Sequence, residues 1–177
     1  MSALNLKDFK PTIFFLLKFV ALYLVLNVWY GLYIKSERPN PDAATISVTN
    51  QSAAILNGLG WETQTVNNPK KPTTAIIYGG KPIVSVYEGC NGINVAIIFI
   101  CFLVAFGPLN KKLIWFSLIG VVVIHLVNLG RIIGLFWVVL YLPGALYFTH
   151  KYLFTAIIYV GVFVMWLIWL RMNFKKS

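Results

Sequence analysis

The sequence predicts a mainly α protein: a polytopic membrane helical bundle of about four spans, with a small extracytoplasmic α+β segment between the first and second spans. Two observations predict this class. Of 177 residues, 59% are hydrophobic and 11% charged, whereas a soluble domain usually carries roughly 25% charged residues. The apolar residues also gather into runs that approach the roughly 20 residues needed to cross a bilayer. Such a chain needs lipid around it, and we expect one membrane domain over residues 1–177.

The formal net charge of +10 does not predict a nucleic-acid partner. The Lys and Arg residues fall mainly at the ends of apolar runs and in one loop, where membrane proteins place them. The two cysteines form neither a CxxC pair nor part of a His/Cys cluster, so no metal or organic cofactor is expected. The lipid bilayer is therefore the first expected partner.

The first span is predicted at residues 13–34 and is interpreted as a retained anchor, because no A-x-A-like cleavage site follows it. Residues 35–89 then form the polar segment. A helix is predicted over residues 41–59, with proline in its first turn and Gly60 as its stop. Its expected buried face consists of Val48, Ser52, Ile55 and Leu59.

A β-hairpin is predicted in the second half of the polar segment. Residues 73–78 and 83–87 are rich in β-forming side chains, and the sequence Gly-Gly-Lys-Pro at residues 79–82 supplies the turn. Pro82 suits the start or the edge of a strand.

Three further spans are predicted at residues 91–107, 113–130 and 151–170. The long apolar run after residue 113 is interrupted by Asn128 and Arg131, so residues 132–149 are expected to be interfacial or re-entrant. The short basic loop at Lys111 and Lys112 and the basic tail with Lys175 and Lys176 favour cytoplasmic termini. This orientation predicts that residues 35–89 face away from the cytoplasm.

In this topology, three side chains that could take part in catalysis are predicted to reach the same membrane face. Cys90 opens the second span, Arg131 ends the third, and His150 immediately precedes the last. A thiol with a pKa of about 8.5 is largely protonated at neutral pH. The helix N-terminus, a histidine that accepts the proton and a nearby guanidinium would all favour the thiolate. An arginine in an apolar run is costly and marks a functional site by default.

These residues lie in motifs that resemble a known family. Residues 86–94, with the sequence VYEGCNGIN, are similar to the E-x-C-x-G motif of the exosortase/archaeosortase family. The tetrapeptide ending in Arg131 resembles that family's N-x-x-R, and His150 resembles its histidine. The resemblance covers roughly residues 41–170. Because the chain lacks the roughly eight spans of larger members, it is most similar to the short exosortase F type.

The resemblance implies a bacterial inner-membrane cysteine protease or transpeptidase, with Cys90 as nucleophile, His150 as general base and acid, and Arg131 as electrostatic stabiliser. The implied partner is an exported protein with a C-terminal motif, a transmembrane helix and a basic cluster; the acceptor stays unknown. The alternative is a non-enzymatic membrane scaffold or assembly factor of an export system. A third possibility is a transporter subunit in which Arg131 and His125 line a polar path.

Four other residues have weaker predicted roles. Asn128 is expected to hydrogen-bond within the bundle and help fix Arg131, and His125, one helical turn away, to play a structural or supporting part. Glu88 could orient His150 or Arg131, or be an exposed strand acid. Cys101 lies about 16 Å along a helix from Cys90, too far for a disulfide.

Overall fold

The structure is a computed structural model that describes residues 6–174. Lys175 and Lys176, which support the predicted orientation, lie outside the described residues. The elements follow one another as helix α1, helix α2, a three-stranded sheet, and four further helices: α1 (Leu6–Glu37), α2 (Ala43–Gly58), β1 (Thr63–Asn67), β2 (Thr73–Tyr78), β3 (Lys81–Tyr87), α3 (Ile93–Phe106), α4 (Lys111–Tyr141), α5 (Leu146–Phe148) and α6 (Phe154–Phe174).

Among residues 6–174, three segments are long and apolar enough to cross a membrane: Phe9–Glu37, Lys111–Tyr141 and Pro143–Asn173. The chain is thus a mainly α protein with the helices of a membrane protein. Helix α3, the predicted second span, has 14 residues. It is about 21 Å long at 1.5 Å per residue, against a hydrocarbon thickness of about 30 Å. Four crossings therefore stay a prediction.

Helix α4 differs from the expectation that the chain changes course after Gly130. It continues without a break for 31 residues, about 46 Å. The apolar side chains beyond Arg131 explain why, because Ile132 and Phe136 are buried against the polar segment rather than left at an interface. Residues 132–141 thus neither turn back nor lie apart from the helix before them.

Helix α2 starts two residues later than predicted, because Asp42 caps it by accepting hydrogen bonds from the backbone N–H groups of Ala44 and Thr45. Its buried face is also rotated from the predicted one. Val48 and Ser52 are buried as expected, but Ile55 and Leu59 are exposed. The prediction was wrong for those two residues; the residues buried in their place include Thr45, Thr49, Ala53 and Leu56.

Hydroxyl side chains on α2 can be buried because the helix itself satisfies them. Thr49 Oγ1 donates to the carbonyl of Thr45 at 2.7 Å, and Ser52 Oγ donates to that of Val48 at 2.8 Å. A hydroxyl bonded one turn back presents mainly its carbon atoms to neighbouring elements. A face of small hydroxyl residues therefore packs closely, although hydrophobicity alone would not select it.

The sheet is antiparallel with the order β1-β2-β3. The predicted hairpin is present: Tyr78 pairs with Lys81 across a two-residue turn, and Gly79 and Gly80 have φ of 56° and 73°. Positive φ at both turn positions is the requirement that glycine meets without strain. Strand β1 was not predicted, because its sequence TQTVN has a single apolar residue and lies at an edge of the sheet.

Two clusters of buried apolar side chains hold the elements together. The site cluster joins α2, the sheet and the second half of α4; it comprises Val48, Leu56, Ile76, Val86, Cys90, Leu129, Ile132, Ile133 and Phe136. The bundle cluster joins α3, the first half of α4, and α6; it comprises Phe99, Leu103, Leu113, Ile124, Val162 and Trp169. Helix α4 contributes to both clusters and connects them.

Candidate active site

Cys90 lies at the junction between the sheet and the helical bundle. Strand β3 ends at Tyr87, a single 3-10 turn covers Glu88–Cys90, and Gly92 with φ of 89° redirects the chain into α3. Positive φ is strained for any residue with a Cβ, which explains a glycine at this bend. The thiol is 8% exposed and therefore sits at the base of a depression rather than on the surface.

Three separate segments bring Cys90, Arg131 and His150 into mutual contact. The Cys90 Sγ lies 3.8 Å from the His150 Nε2 and 3.7 Å from the Arg131 Nη2. The Arg131 Nη2 lies 3.5 Å from the His150 Nε2. Arg131 comes from α4, and His150 from a π-helical turn at Thr149–Leu153 that precedes α6. π-helical turns recur at functional sites because they re-aim one side chain.

The contact with Arg131 bears on which nitrogen of His150 carries the ring proton. Arginine has donors only, so the contact from Arg131 requires His150 Nε2 to accept. The ring proton of a neutral His150 is then on Nδ1, and the Nε2 atom facing Cys90 is unprotonated. A thiol beside an unprotonated imidazole nitrogen can transfer its proton to it, which is the arrangement needed to form a nucleophilic thiolate.

Arg131 has no carboxylate partner among the described residues. Within that part of the chain, a salt bridge joins Arg38 and Glu88 instead. The Nε of Arg131 is buried and makes no hydrogen bond. A partly buried guanidinium without a carboxylate partner lowers the stability of the fold unless a negative charge binds or forms beside it. The site therefore has an unused capacity for an anion next to the thiol.

Asn128 fixes the backbone of the nucleophile rather than Arg131. Its side chain is fully buried, and its Nδ2 donates to the carbonyl of Cys90 at 3.0 Å. Asn128 and Arg131 are three residues apart on α4 and so share a face. One helix face thus holds the main chain of Cys90 and contacts its side chain.

The residue after the cysteine anchors the loop from the other side. Asn91 is 5% exposed; its Nδ2 donates to the Tyr30 hydroxyl at 2.8 Å and lies 3.3 Å from both Asp42 Oδ1 and Thr45 Oγ1. Its Oδ1 accepts from the N–H of Ile93 at 3.0 Å. A buried amide with all these partners resists movement, so the loop is tied to α1, α2 and α3. The sequence signal for this network is an Asn beside the cysteine and an Asp at a helix start, which the sequence analysis did not single out.

Tyr87 is a site residue that the sequence analysis missed. Its pKa is raised above the usual value for a phenol, chiefly because its hydroxyl hydrogen-bonds to Cys90 and lies close to that group's charge, and also because of partial burial. The phenol therefore keeps its proton at neutral pH and remains a donor towards the sulfur. Its ring lies over Gly89, where a Cβ would come within 2.4 Å of a ring carbon. The tyrosine three residues before the cysteine was the available signal.

The remaining candidates lie away from the three-residue contact. Glu88 pairs with Arg38 at 3.3 Å rather than with His150 or Arg131. His125 contacts the Gln51 side chain at 2.7 Å, a structural link between α4 and α2. Cys101 and Cys90 are both free thiols, and Cys101 is buried. In the part of the chain that the structure describes, no three His, Cys, Asp or Glu side chains converge to hold a metal ion.

The three-residue contact opens into a cavity of about 450 Å³. This volume is within the usual range for ligand sites. Besides the three site residues, its lining comprises residues of β3 and the side chains of Ile132, Leu135, Val139, Leu146 and Tyr147. The site therefore combines a thiol, a base and a cation at one end of an apolar space.

Comparison with protein-family models, curated proteins and solved structures gives no match to this chain. The function is therefore argued from the geometry of the site and from the motifs in the sequence.

Proposed function

We propose that this protein is a membrane cysteine protease or transpeptidase of the exosortase class, which cleaves the C-terminal sorting signal of exported proteins through a thioester on Cys90. The observation that carries the proposal is the mutual contact of Cys90, Arg131 and His150 at interatomic distances of 3.5–3.8 Å. The three residues are separated by 41 and 19 positions along the chain. Their convergence supports one shared chemical task better than three separate structural roles.

The reaction divides into two acyl transfers. His150 Nε2 takes the Cys90 proton, and the sulfur attacks the scissile carbonyl carbon. The peptide C–N bond then breaks, the leaving amine takes the proton from His150, and the N-terminal product stays on Cys90 as a thioester. Water or an amine attacks that carbonyl next, gives its proton to His150, and releases the sulfur as the thiolate.

Arg131 is proposed to stabilise negative charge at both stages. The thiolate and the oxyanion of each tetrahedral intermediate form beside its guanidinium, which has no carboxylate to neutralise it among the described residues. A fixed cation in a water-poor site stabilises such charge more than it would in bulk water. The contact of its Nη2 with the Cys90 sulfur supports this role, because the cation lies beside the atom that becomes charged.

The setting follows from the proposed orientation. The site lies on the extracytoplasmic face of a bacterial inner membrane and meets an exported protein whose C-terminal helix is still in the bilayer. Attaching an impermeant thiol reagent to Lys70→Cys, in the exposed β1–β2 loop, tests this orientation in intact spheroplasts. Labelling only after lysis would reverse it.

Capture of the thioester tests the activity even while the substrate is unidentified. Membranes from cells expressing the wild type, Cys90→Ser or Cys101→Ser are quenched in acid and the protein is treated with neutral hydroxylamine, which cleaves thioesters. The wild type and Cys101→Ser should release a peptide hydroxamate from an exported protein, and Cys90→Ser should release none. Cys101 is the matched control, because it is an equally free and buried thiol outside the site.

Two results would contradict the proposal. If the wild type releases no acyl group, or if Cys90→Ser releases the same one, Cys90 is not the nucleophile. A chain whose cellular effect is unchanged by Cys90→Ser would then fit the alternative of a membrane scaffold or assembly factor.

A further inference from the structure

The cavity at Cys90 runs along the edge of a strand. It contacts five consecutive residues of β3, from Ile83 to Tyr87. Successive side chains of a strand point to opposite faces, so a cavity over one face would contact alternate residues only. Contact with five residues in a row indicates that the cavity lies along the strand's edge.

That edge of β3 has no backbone partner in the described structure. Strand β3 is the last strand of the sheet and pairs with β2 alone. Across residues 6–174, no hydrogen bond from outside the sheet reaches its backbone. In an antiparallel sheet alternate residues of an edge strand direct their N–H and C=O groups outward, and such a row is a ready template for another strand.

The edge leads directly to the nucleophile. Strand β3 ends at Tyr87, and Cys90 follows after one 3-10 turn. The α4 residues Ile132, Leu135 and Val139 line the same cavity with apolar side chains, while Arg131 and His150 line it beside Cys90. A polypeptide that occupied this space would find backbone partners on one side and apolar pockets on the other.

We propose that the substrate segment preceding the scissile bond binds as an extended strand that pairs with the free edge of β3 and places apolar side chains against α4. The occupant is an extended apolar segment of the exported polypeptide, and this inference rests on the proposed function. Main-chain hydrogen bonds then supply affinity, and the apolar wall supplies selectivity, as in other cases of strand addition to a sheet edge. The scissile carbonyl is delivered to the sulfur by the register of the pairing.

A peptide that alkylates Cys90 tests the pairing directly. The probe is acetyl-Ala-Val-Ala chloromethyl ketone, on the full-length protein in lipid nanodiscs. The Cys90 sulfur displaces chloride from the probe, forming a C–S bond as the C–Cl bond breaks. Protein alkylated with iodoacetamide is the matched control, since the same thiol is blocked without a peptide backbone. Hydrogen–deuterium exchange is then compared in the two adducts.

The outward-facing amides of β3 should exchange about fivefold more slowly in the peptide adduct, because each new hydrogen bond contributes on the order of 1 kcal/mol and a tenfold change needs about 1.4 kcal/mol. The amides of β1, the other edge of the sheet, should not change. A second probe with methylated backbone nitrogens should alkylate Cys90 about tenfold more slowly than the first. Iodoacetamide, which has no peptide backbone, should still alkylate Cys90.

The outcomes separate this inference from the proposed function. If iodoacetamide modifies Cys90 but the peptide does not, or if β3 exchanges equally in both adducts, strand pairing is overturned and the proposed nucleophile stands. Equal rates for the methylated and unmethylated peptides would overturn it as well. If Cys90 in the folded protein resists iodoacetamide, the nucleophile assignment fails, and the strand-pairing inference fails with it.

Discussion

The bundle cluster and the site cluster differ in composition, although helix α4 contributes side chains to both. The bundle cluster is built from large apolar side chains, with Phe102 and Trp166 stacked beside it at 4.2 Å between ring centroids. The site cluster mixes apolar side chains with Cys90, and it lies beside the buried, hydrogen-bonded Asn91 and Asn128. Helix-to-helix packing in lipid needs close fit but gains little from the hydrophobic effect. Under the proposed function the site cluster lies at the water boundary, where burial gains that effect and buried polar groups must also be satisfied.

The matched pair Phe136 and Phe99 should reveal that difference most strongly. Both rings are fully buried, Phe136 in the site cluster and Phe99 in the bundle cluster. We expect Phe136→Ala to lower the free energy of unfolding by about 3–5 kcal/mol, through lost transfer from water plus a cavity. Phe99→Ala should lose roughly half of that, because its unfolded state in lipid is not hydrated. Equilibrium denaturation of both variants in mixed micelles measures the two losses, and equal values would erase the distinction.

Arg131→Lys should leave both clusters intact and remove most of the activity. The ammonium of lysine can reach the interface, so the protein should accumulate at the wild-type level. It is a mobile point charge without the fixed donors of guanidinium, and we expect processing to slow on the order of 10²-fold. Protein level and the rate of thioester formation are compared for the wild type, Arg131→Lys and Arg131→Ala. Near-normal processing by the lysine variant would reduce Arg131 to an interfacial anchor.

Tyr87→Phe should have a smaller effect than Arg131→Lys, and the effect should be limited to the reactivity of the Cys90 thiol. The change removes the hydroxyl that bonds to Cys90 and keeps the ring over Gly89. One lost hydrogen bond to a charged sulfur should slow alkylation of Cys90 by roughly tenfold at neutral pH, because less thiolate is present. Alkylation of Cys90 in Cys101→Ser, which keeps the hydroxyl, should proceed at the wild-type rate. An unchanged alkylation rate in Tyr87→Phe would show that Tyr87 acts through packing.

The smallest effect is expected at Glu88. It pairs with an arginine that is 58% exposed, and exposed ion pairs contribute about 0–1 kcal/mol. We expect Glu88→Gln to change stability by less than about 1 kcal/mol and to leave processing within about twofold of the wild type, with Arg38→Gln as its partner control. A large loss of activity in Glu88→Gln, without the same loss in Arg38→Gln, would show that Glu88 takes part in catalysis.

Sequence reasoning succeeded where the chemistry is local. Two adjacent glycines favour a tight hairpin turn: β2 lies at the predicted residues, and β3 begins two residues earlier than predicted, at Lys81. It failed where tertiary contacts decide. The buried hydroxyls of α2 and the polar edge strand β1 have no hydrophobic signature of their own. The course of α4 beyond Gly130 depends on Ile132 and Phe136 meeting α2 and the sheet, which no local pattern specifies.

The candidate site shows the same division. Cys90, Arg131 and His150 were selected by residue type and by their place at the ends of apolar runs, and the structure brings them into contact at 3.5–3.8 Å. Tyr87 and Asn91 lie close to the cysteine in the chain but gain their partners only through folding. Glu88 has the right charge and the right neighbourhood, yet it pairs with Arg38.

Under the proposed function, the unbroken course of α4 would hold the site at a fixed height relative to the membrane. Lys111 and Arg131 are twenty residues apart, which on a helix is about 30 Å, the thickness of the hydrocarbon core. In the proposed orientation, Lys111 lies at the cytoplasmic boundary and Arg131 at the other. Under the proposed function, the enzyme would act as a ruler: it would cut where a substrate chain leaves the bilayer, at a position counted from the membrane. Lengthening the substrate's hydrophobic helix would then move the cut along the sequence while its depth stays constant.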